Sequence, residues 1–433
     1  MAKLESFPFE ASNVDFLILC CLLSWVLLNG GSPFPHDDGA SEATPIVRVL
    51  IMRNSGLKKL WDEVQNLSNL KKIDLQGSIH LTEIPDLSKA TKLEYVNLNQ
   101  CRNIESLNVH SKYLGKLYLD QCLSLTEISV ISDELTRLDL SFMSKLQSLN
   151  VNSRSFKELQ LSYCPFLKKI SVVSDEFIAL KLFDTAIASL PSSISSLPKL
   201  THLNLSNCEN IVSLPELPRF LRLLLLDNCK NLVSLPDLPS SLDFLRAFNC
   251  ISLETEMCQR LVLQKLLRPN SYDRDSKYFA FPGNHVIEEC EFHTTEHSMS
   301  IPASCLNISH LCGFIYYIIL SKELHYFSGM WVSIYQDDAK LWHTRGPSVG
   351  GKTLISDHVM FGYHDLSKFD GMSEVHHPSR GVQIIFELHG NQKGNKGFGV
   401  FPVYATTSGF KLQIFESQSI QPEQPSASKR RRT

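Results

Sequence analysis

The sequence lacks an excess of charge of either sign, since 42 Lys and Arg stand against 45 Asp and Glu for a formal net charge of -3. No global basic field therefore attracts nucleic acid or an anionic membrane, and neither is expected as a partner. An apolar run from Phe16 to Leu28 has 13 residues, fewer than the roughly 20 that span a bilayer. With 43% hydrophobic and 20% charged residues, the chain is neither disordered as a whole nor a multi-span membrane protein.

The sequence repeats itself every 21 to 23 residues. The pattern apolar-x-x-apolar-x-apolar starts at Val47, Leu70, Leu93, Leu114, Leu135, Phe156, Phe177, Leu200, Leu221 and Leu242. A period in the 20–29 window is typical of leucine-rich repeats, in which each repeat gives one strand of a parallel sheet lining a horseshoe. Prolines 85, 191, 215 and 236 follow the second apolar pair of their repeats, which predicts extended or short-turn returns and no long helices. The predicted fold class is an α/β-type solenoid.

Half of the twelve cysteines occupy one position of this repeat, eight residues after its start. They are Cys101, Cys122, Cys164, Cys208, Cys229 and Cys250. Other repeats carry Ser, Thr or Met there, so the position calls for a small buried side chain that satisfies a backbone group. We expect free structural thiols, with neither disulfides nor metal, and hence a reducing compartment.

The segment before the first repeat is open to two interpretations. The run Phe16 to Leu28 is either a buried strand or cap on the solenoid, or the core of a signal peptide in a secreted receptor. Its leader carries Lys3 against Glu5, Glu10 and Asp15, the wrong sign for a signal peptide, which favours the cap. Residues 30–45 have the composition of a linker.

The pattern of apolar and polar residues changes after the last repeat. Leu253, Met257, Leu261 and Leu267 recur near helical spacing before Pro269, which predicts a short capping helix. Short β-like runs separated by Gly, Asn, Asp and Pro then predict an all-β antiparallel sandwich. The predicted organisation is an apolar segment and linker (1–46), leucine-rich repeats (47–252), a capping helix and hinge (253–274), a β-sandwich (275–415) and a disordered basic tail (416–433). Lys429 to Arg432 in that tail are either a nuclear-import patch or simply solvated.

Specific stretches of the chain resemble a known family. Residues 55–101 (SGLKKLWDEVQNLSNLKKIDLQGSIHLTEIPDLSKATKLEYVNLNQC) are similar to the early repeats of plant intracellular immune receptors of the TIR–nucleotide-binding–leucine-rich-repeat class. Trp61 stands at the centre of a segment that resembles the second repeat of that class, and SLPELP and SLPDLP resemble its final repeats. FPGNHV (281–286) and GFGVFPVYA (397–405) resemble the opening and closing strands of its post-repeat jelly-roll module. The resemblance implies a cytoplasmic or nuclear protein that senses a pathogen effector or a guarded host protein.

Two departures limit what the resemblance implies. Only 46 residues precede the first repeat, so the TIR and nucleotide-binding domains are not expected, and their activities do not carry over. Those domains of a partner receptor are instead possible partners. The aromatic residue that the family places after the Pro-Gly of the post-repeat module is replaced by His285, Val286 and Ile287.

A literal P-loop match, GPSVGGKT, spans Gly346 to Thr353. In a true P-loop, Lys352 would reach phosphate oxygens and Thr353 would hold magnesium, between a buried strand and a helix. Here the polar KLWHTR precedes the match and a strand-like run follows it, so a nucleotide-hydrolysing enzyme is only an alternative, and neither catalysis nor a cofactor is expected. The histidines of this region have no Cys or Glu at ligand spacing, which predicts surface or loop histidines and no metal. They are His358, His364, His376 and His377.

The candidate site is the concave face, to which the third, fifth and seventh residues of each repeat unit point because strand side chains alternate. The candidate protein-binding residues are Lys72, Tyr95, Asn97, Lys116, Tyr118, Arg137, Asp139, Phe183 and His202. Tyrosines with charges of both signs suit protein recognition, although the same residues could merely solvate the sheet. An apolar patch on the last two repeats is predicted to dock the sandwich or a protein ligand. It comprises Leu223, Leu225, Phe244 and Phe248.

Overall fold

A computed structural model of the chain describes thirteen stretches of it. They are residues 16–18, 48–56, 58–60, 67–84, 87–267, 277–286, 290–322, 327–337, 339–345, 353–366, 381–390, 395–406 and 409–412. Several predictions fall outside them, namely those on Trp61, on residues 30–45, on the hinge 271–276, on Gly346 to Lys352, on His376 and His377, and on the tail 416–433. Among the described residues, no helix is long and apolar enough to cross a membrane.

One short strand per repeat lines the concave face. These strands are β1 (Phe16–Ile18), β2 (Val49–Ile51), β3 (Lys72–Asp74), β4 (Tyr95–Asn97), β6 (Lys116–Tyr118), β8 (Arg137–Asp139), β10 (Glu158–Gln160), β12 (Ala179–Lys181), β13 (His202–Asn204), β14 (Leu223–Leu225) and β15 (Phe244–Arg246). They pair in parallel at the predicted register, for example Glu158 with Arg137 and with Ala179. From β2 to β15 the middle residue of each concave strand enters the core, as Leu159 does, because an alternating strand buries one face.

The concave ladder is interrupted once. Strands β1, β2, β3, β4 and β6 form one sheet, and a second sheet begins at β8. Over the same repeats a second parallel sheet forms on the convex side, from β5 (Ser106–His110), β7 (Glu127–Ser132), β9 (Ser148–Ser153) and β11 (Lys169–Val173). The predicted short-turn returns are confirmed for the prolines that the structure describes, which no long helix follows; a 3-10 turn lies after Pro191, at Ser192–Ser196. The convex sheet forms on repeats without these prolines, and the sequence did not indicate it.

Each concave strand from β2 to β15 ends in a turn whose residue, seven positions after the repeat start, has a positive φ. The residues are Asn54, Gly77, Gln100, Gln121, Phe142, Tyr163, Asp184, Asn207, Asn228 and Asn249, with φ from 54° to 75°. Gly77 is the one glycine among them, and a Cβ there would lie 2.0 Å from Oδ1 of Asn54. Asn and Asp enter this left-handed region at lower cost than other residues that carry a Cβ.

The cysteine column lies directly after this turn. All six thiols donate to a leucine carbonyl oxygen of the preceding repeat at 3.0–3.2 Å. The predicted role of a small buried side chain that satisfies a backbone group is thus confirmed. Burial raises the pKa of Cys101, Cys164 and Cys208 to about 11 and that of Cys122 to about 12.

We expect these thiols to be unreactive in the folded chain, because the thiolate is the nucleophile and burial disfavours it. Treatment with iodoacetamide at pH 8, followed by peptide mass spectrometry, should modify the exposed Cys305 and leave the column unlabelled until urea is added. Labelling of Cys122 or Cys208 without denaturant would contradict this expectation.

The sheet of the solenoid continues into a β-sandwich. Strand β16 (Lys277–Pro282) pairs in parallel with β15, placing Tyr278 opposite Phe244. Antiparallel strands follow in the order β22 (His358–Asp365), β19 (Leu311–Leu320), β24 (Asn395–Thr406) and β17 (Phe292–Thr294), with β25 (Gly409–Leu412) also on β24. The facing sheet contains β18 (Ser298–Pro302), β23 (Val382–Gly390), β20 (Phe327–Gln336) and β21 (Ala339–Arg345). The first sheet of the sandwich is thus built onto the last repeat by backbone hydrogen bonds.

Helix α1 (Thr255–Leu266) covers the end of the solenoid. Its buried residues include Cys258, Val262 and Leu266, whereas Met257 is exposed. The helix expected before Pro269 is present, and its buried face lies one residue after Met257 and Leu261, whose spacing predicts the helix. Short 3-10 turns occur at Ser192–Ser196, Ala303–Cys305 and Ile308–His310.

Candidate protein-recognition surface

Three predicted residues form a cluster on the early repeats. The ammonium of Lys72 lies 4.6 Å from the ring centroid of Tyr95, and the rings of Tyr95 and Tyr118 are 5.6 Å apart at 51°. Burial, followed by the charge of Asp74, raises the pKa of Tyr95. Tyr118 is 43% exposed. A cation and two rings on neighbouring strands offer the aromatic contact area that dominates many protein interfaces.

Asn97 belongs to the layer beneath this cluster and is buried. Its amide nitrogen donates to Oδ1 of Asp74 at 3.2 Å, and Arg53 pairs with Oδ2 of the same carboxylate at 2.6 Å. The prediction that Asn97 presents its side chain to a partner was wrong, because that side chain is used to satisfy a buried carboxylate.

A second cluster surrounds Glu158 on β10. Lys181 Nζ lies 2.5 Å from one carboxylate oxygen, and Arg137 Nε lies 3.0 Å from the other. The hydrogen bonds from Lys181 and then Arg137 lower the pKa of Glu158. Because one carboxylate holds two cations, the cluster keeps a local positive charge in a fixed geometry on an exposed surface. Such charges favour orientation and specificity more than raw affinity.

The remaining predicted residues lie along the same face. Lys116 and His202 are exposed, and Phe183 is half-buried. Asp139 accepts the hydroxyl of Ser141 at 2.7 Å. Burial, followed by the charges of Arg222 and Lys181, lowers the pKa of His202.

The apolar patch divides into two parts. Phe248 is buried against the sandwich, with its ring centroid 5.3 Å from that of His358 in a T-shaped arrangement. Phe244 is half-buried with its ring 6.5 Å from that of Tyr278. Leu223 and Leu225 are half-buried beside them. Both phenylalanines therefore contact the sandwich, and Phe244 and the two leucines remain partly open to a ligand.

A ladder of asparagines extends this junction. Asn228 donates to Asn207 at 2.7 Å, and Asn249 donates to Asn228 at 2.9 Å. The backbone N–H of Asn249 donates to Nε2 of His358 at 2.9 Å, and its side-chain oxygen accepts the N–H of Ile355 at 3.0 Å. These bonds fix the angle of the sandwich loop on the solenoid.

A cleft of about 380 Å³ opens between the ladder and Phe183. Arg246 crosses it to pair with Asp227 at 2.8 Å, and Asp227 also accepts the N–H of Phe248. The polar lining of the cleft suits a side chain of a protein partner.

The two described histidines were predicted to be surface residues, and this was wrong. Both His358 and His364 are buried, because β22 is covered on both faces by the solenoid end and the facing sheet. The structure also bears on the P-loop alternative through its flanks. β21 before it is a strand of an antiparallel sheet, and residues 353–357 after it contain no helix that could receive a phosphate.

Sequence reasoning missed two exposed aromatics, Phe142 and Tyr163. With Phe183 they form what we term the aromatic strip, with ring centroids 4.8 Å and then 5.1 Å apart. The signal was present in the sequence, because these two rings occupy the turn position that the other repeats fill with Asn, Gln, Asp or Gly.

The parallel solenoid with its 21–23-residue period and open concave face defines a leucine-rich-repeat protein, followed here by a sheet-rich domain. Its homologues are plant disease resistance proteins of the TIR–nucleotide-binding–leucine-rich-repeat class. The predicted resemblance to that class is confirmed, whereas the likeness to its post-repeat module stays a prediction.

The relatives match only part of the chain and a small part of themselves. TMV resistance protein N of Nicotiana glutinosa is 34% identical over 179 residues, 39% of this chain and 16% of that protein. Disease resistance protein RPS6 of Arabidopsis thaliana is 33% identical over 194 residues, 38% of this chain and 17% of that protein. Protein SUPPRESSOR OF npr1-1, CONSTITUTIVE 1 of Arabidopsis thaliana is 44% identical over 160 residues, 36% and 10% of the two chains.

No protein-family model matches the chain. Among solved structures, the leucine-rich repeat domain of the type III effector XCV3220 (XopL) is 16% identical and has a TM-score of 0.22, covering 52% of this chain and 74% of that one. At that score the likeness supports no further conclusion.

Proposed function

We propose that the chain is a non-catalytic protein-recognition module of a plant intracellular immune receptor. Its concave face would bind a pathogen effector or a guarded host protein in the cytoplasm or nucleus. The observation that carries the proposal is the cluster of the half-buried Lys72 and Tyr95 with the exposed Tyr118, whose cation and rings are already in contact before any partner arrives.

The Glu158 cluster supports the same function. Its two cations are held by hydrogen bonds to one carboxylate, so little side-chain freedom is lost when a partner binds. The homologues are disease resistance proteins, which favours immune recognition over other uses of a repeat surface.

Proximity labelling in plant cells with the full chain tests the proposal. Tyr118→Ala should reduce the labelling of concave-face partners about tenfold, as expected for an aromatic hot spot worth more than about 1.4 kcal/mol. Tyr113→Ala is the matched control, since Tyr113 is 41% exposed and lies in the turn between β5 and β6, before the strand that carries Tyr118. Equal labelling by the wild type and Tyr118→Ala would show that this face is not the binding surface.

A further inference from the structure

The aromatic strip is a continuous, ordered and open surface beside the concave face. Phe142 is 64% exposed and Tyr163 43% exposed, yet their rings stack at an angle of 9°. The backbone N–H groups of both residues donate to carbonyl oxygens of the next repeat, Ser162 and Phe183, at 2.8 Å. The backbone that carries the two rings is therefore held in place on the turns that end β8 and β10.

The backbone conformation of Phe142 and Tyr163 is strained. Phe142 and Tyr163 have φ of 67° and 59°, a left-handed backbone that is an outlier for bulky residues. Asn54, Asn207 and Asn228 show that asparagine fills the same position elsewhere in the solenoid. Strained residues of this kind persist mainly where a function needs them.

Two exposed carboxylates flank the strip. Asp120 lies in the repeat before that of Phe142. Asp184 occupies the positive-φ turn position of the repeat after that of Tyr163, and both aspartates are exposed. Within the described stretches, neither carboxylate makes an ion pair, while Arg137 and Lys181 are engaged by Glu158. The face of Phe142 that Tyr163 does not cover carries the negative part of its aromatic quadrupole. The carboxylates and this ring face both attract a cation.

We propose that the aromatic strip binds arginine side chains of an extended segment of a partner protein. A planar guanidinium stacks on aromatic faces and pairs with carboxylates in the same plane, which a compact ammonium does less well. One guanidinium would stack on the face of Phe142 that Tyr163 does not cover and reach Asp120, and the next arginine would pair with Asp184 at the other end of the strip. This surface is separate from the Tyr118 cluster, so its test does not depend on the proposed concave-face ligand.

The test uses the full chain and three fluorescent synthetic peptides in which glycine alternates with arginine, lysine or neutral citrulline. The arginine peptide should bind most tightly. The affinity of the citrulline peptide should be at least about tenfold lower. The double variant Phe142→Asn and Tyr163→Asn should lose about tenfold in affinity for the arginine peptide. Its melting temperature should rise by a few degrees, roughly 2–4 °C for each relieved strain of ordinary size.

Phe166→Asn is the matched control. Phe166 is 57% exposed and lies three residues after Tyr163, outside the strip, so its replacement should leave peptide binding unchanged. The variants Asp120→Asn and Asp184→Asn keep the rings. They should lower the affinity for the arginine peptide and leave that for the citrulline peptide unchanged. Equal binding of the arginine and citrulline peptides, full binding by the asparagine double variant, or unchanged binding by the aspartate variants would each overturn the proposal. A fall in the melting temperature of the double variant would overturn its strain argument.

Discussion

Replacing Gly362 with alanine is expected to destabilise the sandwich by about 3 kcal/mol. A Cβ at this position would lie 2.1 Å from Cζ of Tyr316, whose ring crosses the glycine from the neighbouring strand. Tyr316 is fully buried between the two sheets, so its ring has no space into which to move. The added methyl group must therefore shift backbone or force the ring out of its rotamer.

Urea unfolding followed by circular dichroism measures this effect, with Gly56→Ala as the control. Nothing lies within 4 Å of a Cβ built on Gly56, so that variant should remain within about 0.5 kcal/mol of the wild type. Equal unfolding midpoints for Gly362→Ala and the wild type would contradict the arrangement of Tyr316 over the glycine.

Two more glycines described in this sheet are covered by a tyrosine of a neighbouring strand. A Cβ on Gly399 would lie 2.4 Å from the ring of Tyr317, and one on Gly313 would lie 2.5 Å from the hydroxyl of Tyr363. Rings that cover glycines across strands pin the register of an antiparallel sheet. They tie β19 to both of its neighbours, β22 and β24.

The solenoid could be predicted from the sequence because every repeat shows the same pattern of buried apolar positions. The apolar positions, the cysteine column and the strand register all follow from one period, and a single deviating repeat does not hide it. The break between Tyr118 and Arg137 could not be predicted, since both repeats carry the full apolar pattern. The convex sheet runs past this point without a break, from β5 to β11, and the period encodes neither feature.

The sandwich was predictable only as a class. In β22 every residue from His358 to His364 is buried, so the alternation that tells an inner face from an outer one is absent. A histidine in such a strand looks like a loop or surface residue until the covering elements are known. Phe142 and Tyr163 were missed for a related reason, because they occupy the turn position and the alternation of strand residues does not include it.

His364 is expected to make the chain less stable as the pH falls below 6.5. It is buried, its ring stacks 4.9 Å from that of Tyr316, and its Nε2 has no hydrogen-bond partner within the described residues. Burial lowers its pKa to about 3 from an ordinary value of 6.5. Burial also lowers the pKa of His358, whose Nε2 must stay unprotonated to accept the N–H of Asn249.

The direction of the effect follows from proton uptake. Between pH 6.5 and about 3 the unfolded chain binds a proton at His364 that the folded chain does not bind, so acid favours unfolding. The stabilisation is complete above pH 6.5 and is lost at about 1.4 kcal/mol per pH unit as the pH falls. Between pH 7 and pH 5, His364 alone should therefore remove about 2 kcal/mol from the free energy of unfolding.

Urea unfolding at several pH values checks this, with His364→Phe as the test variant and His80→Phe as the control on an exposed histidine of the solenoid. Phenylalanine keeps the stacking on Tyr316 and removes a buried nitrogen that has no partner, so His364→Phe should gain stability at pH 7 and lose part of the acid sensitivity. His80→Phe should keep the wild-type dependence on pH. If the two variants followed the same curve between pH 7 and pH 5, His364 would not be the group whose protonation opens the sandwich core.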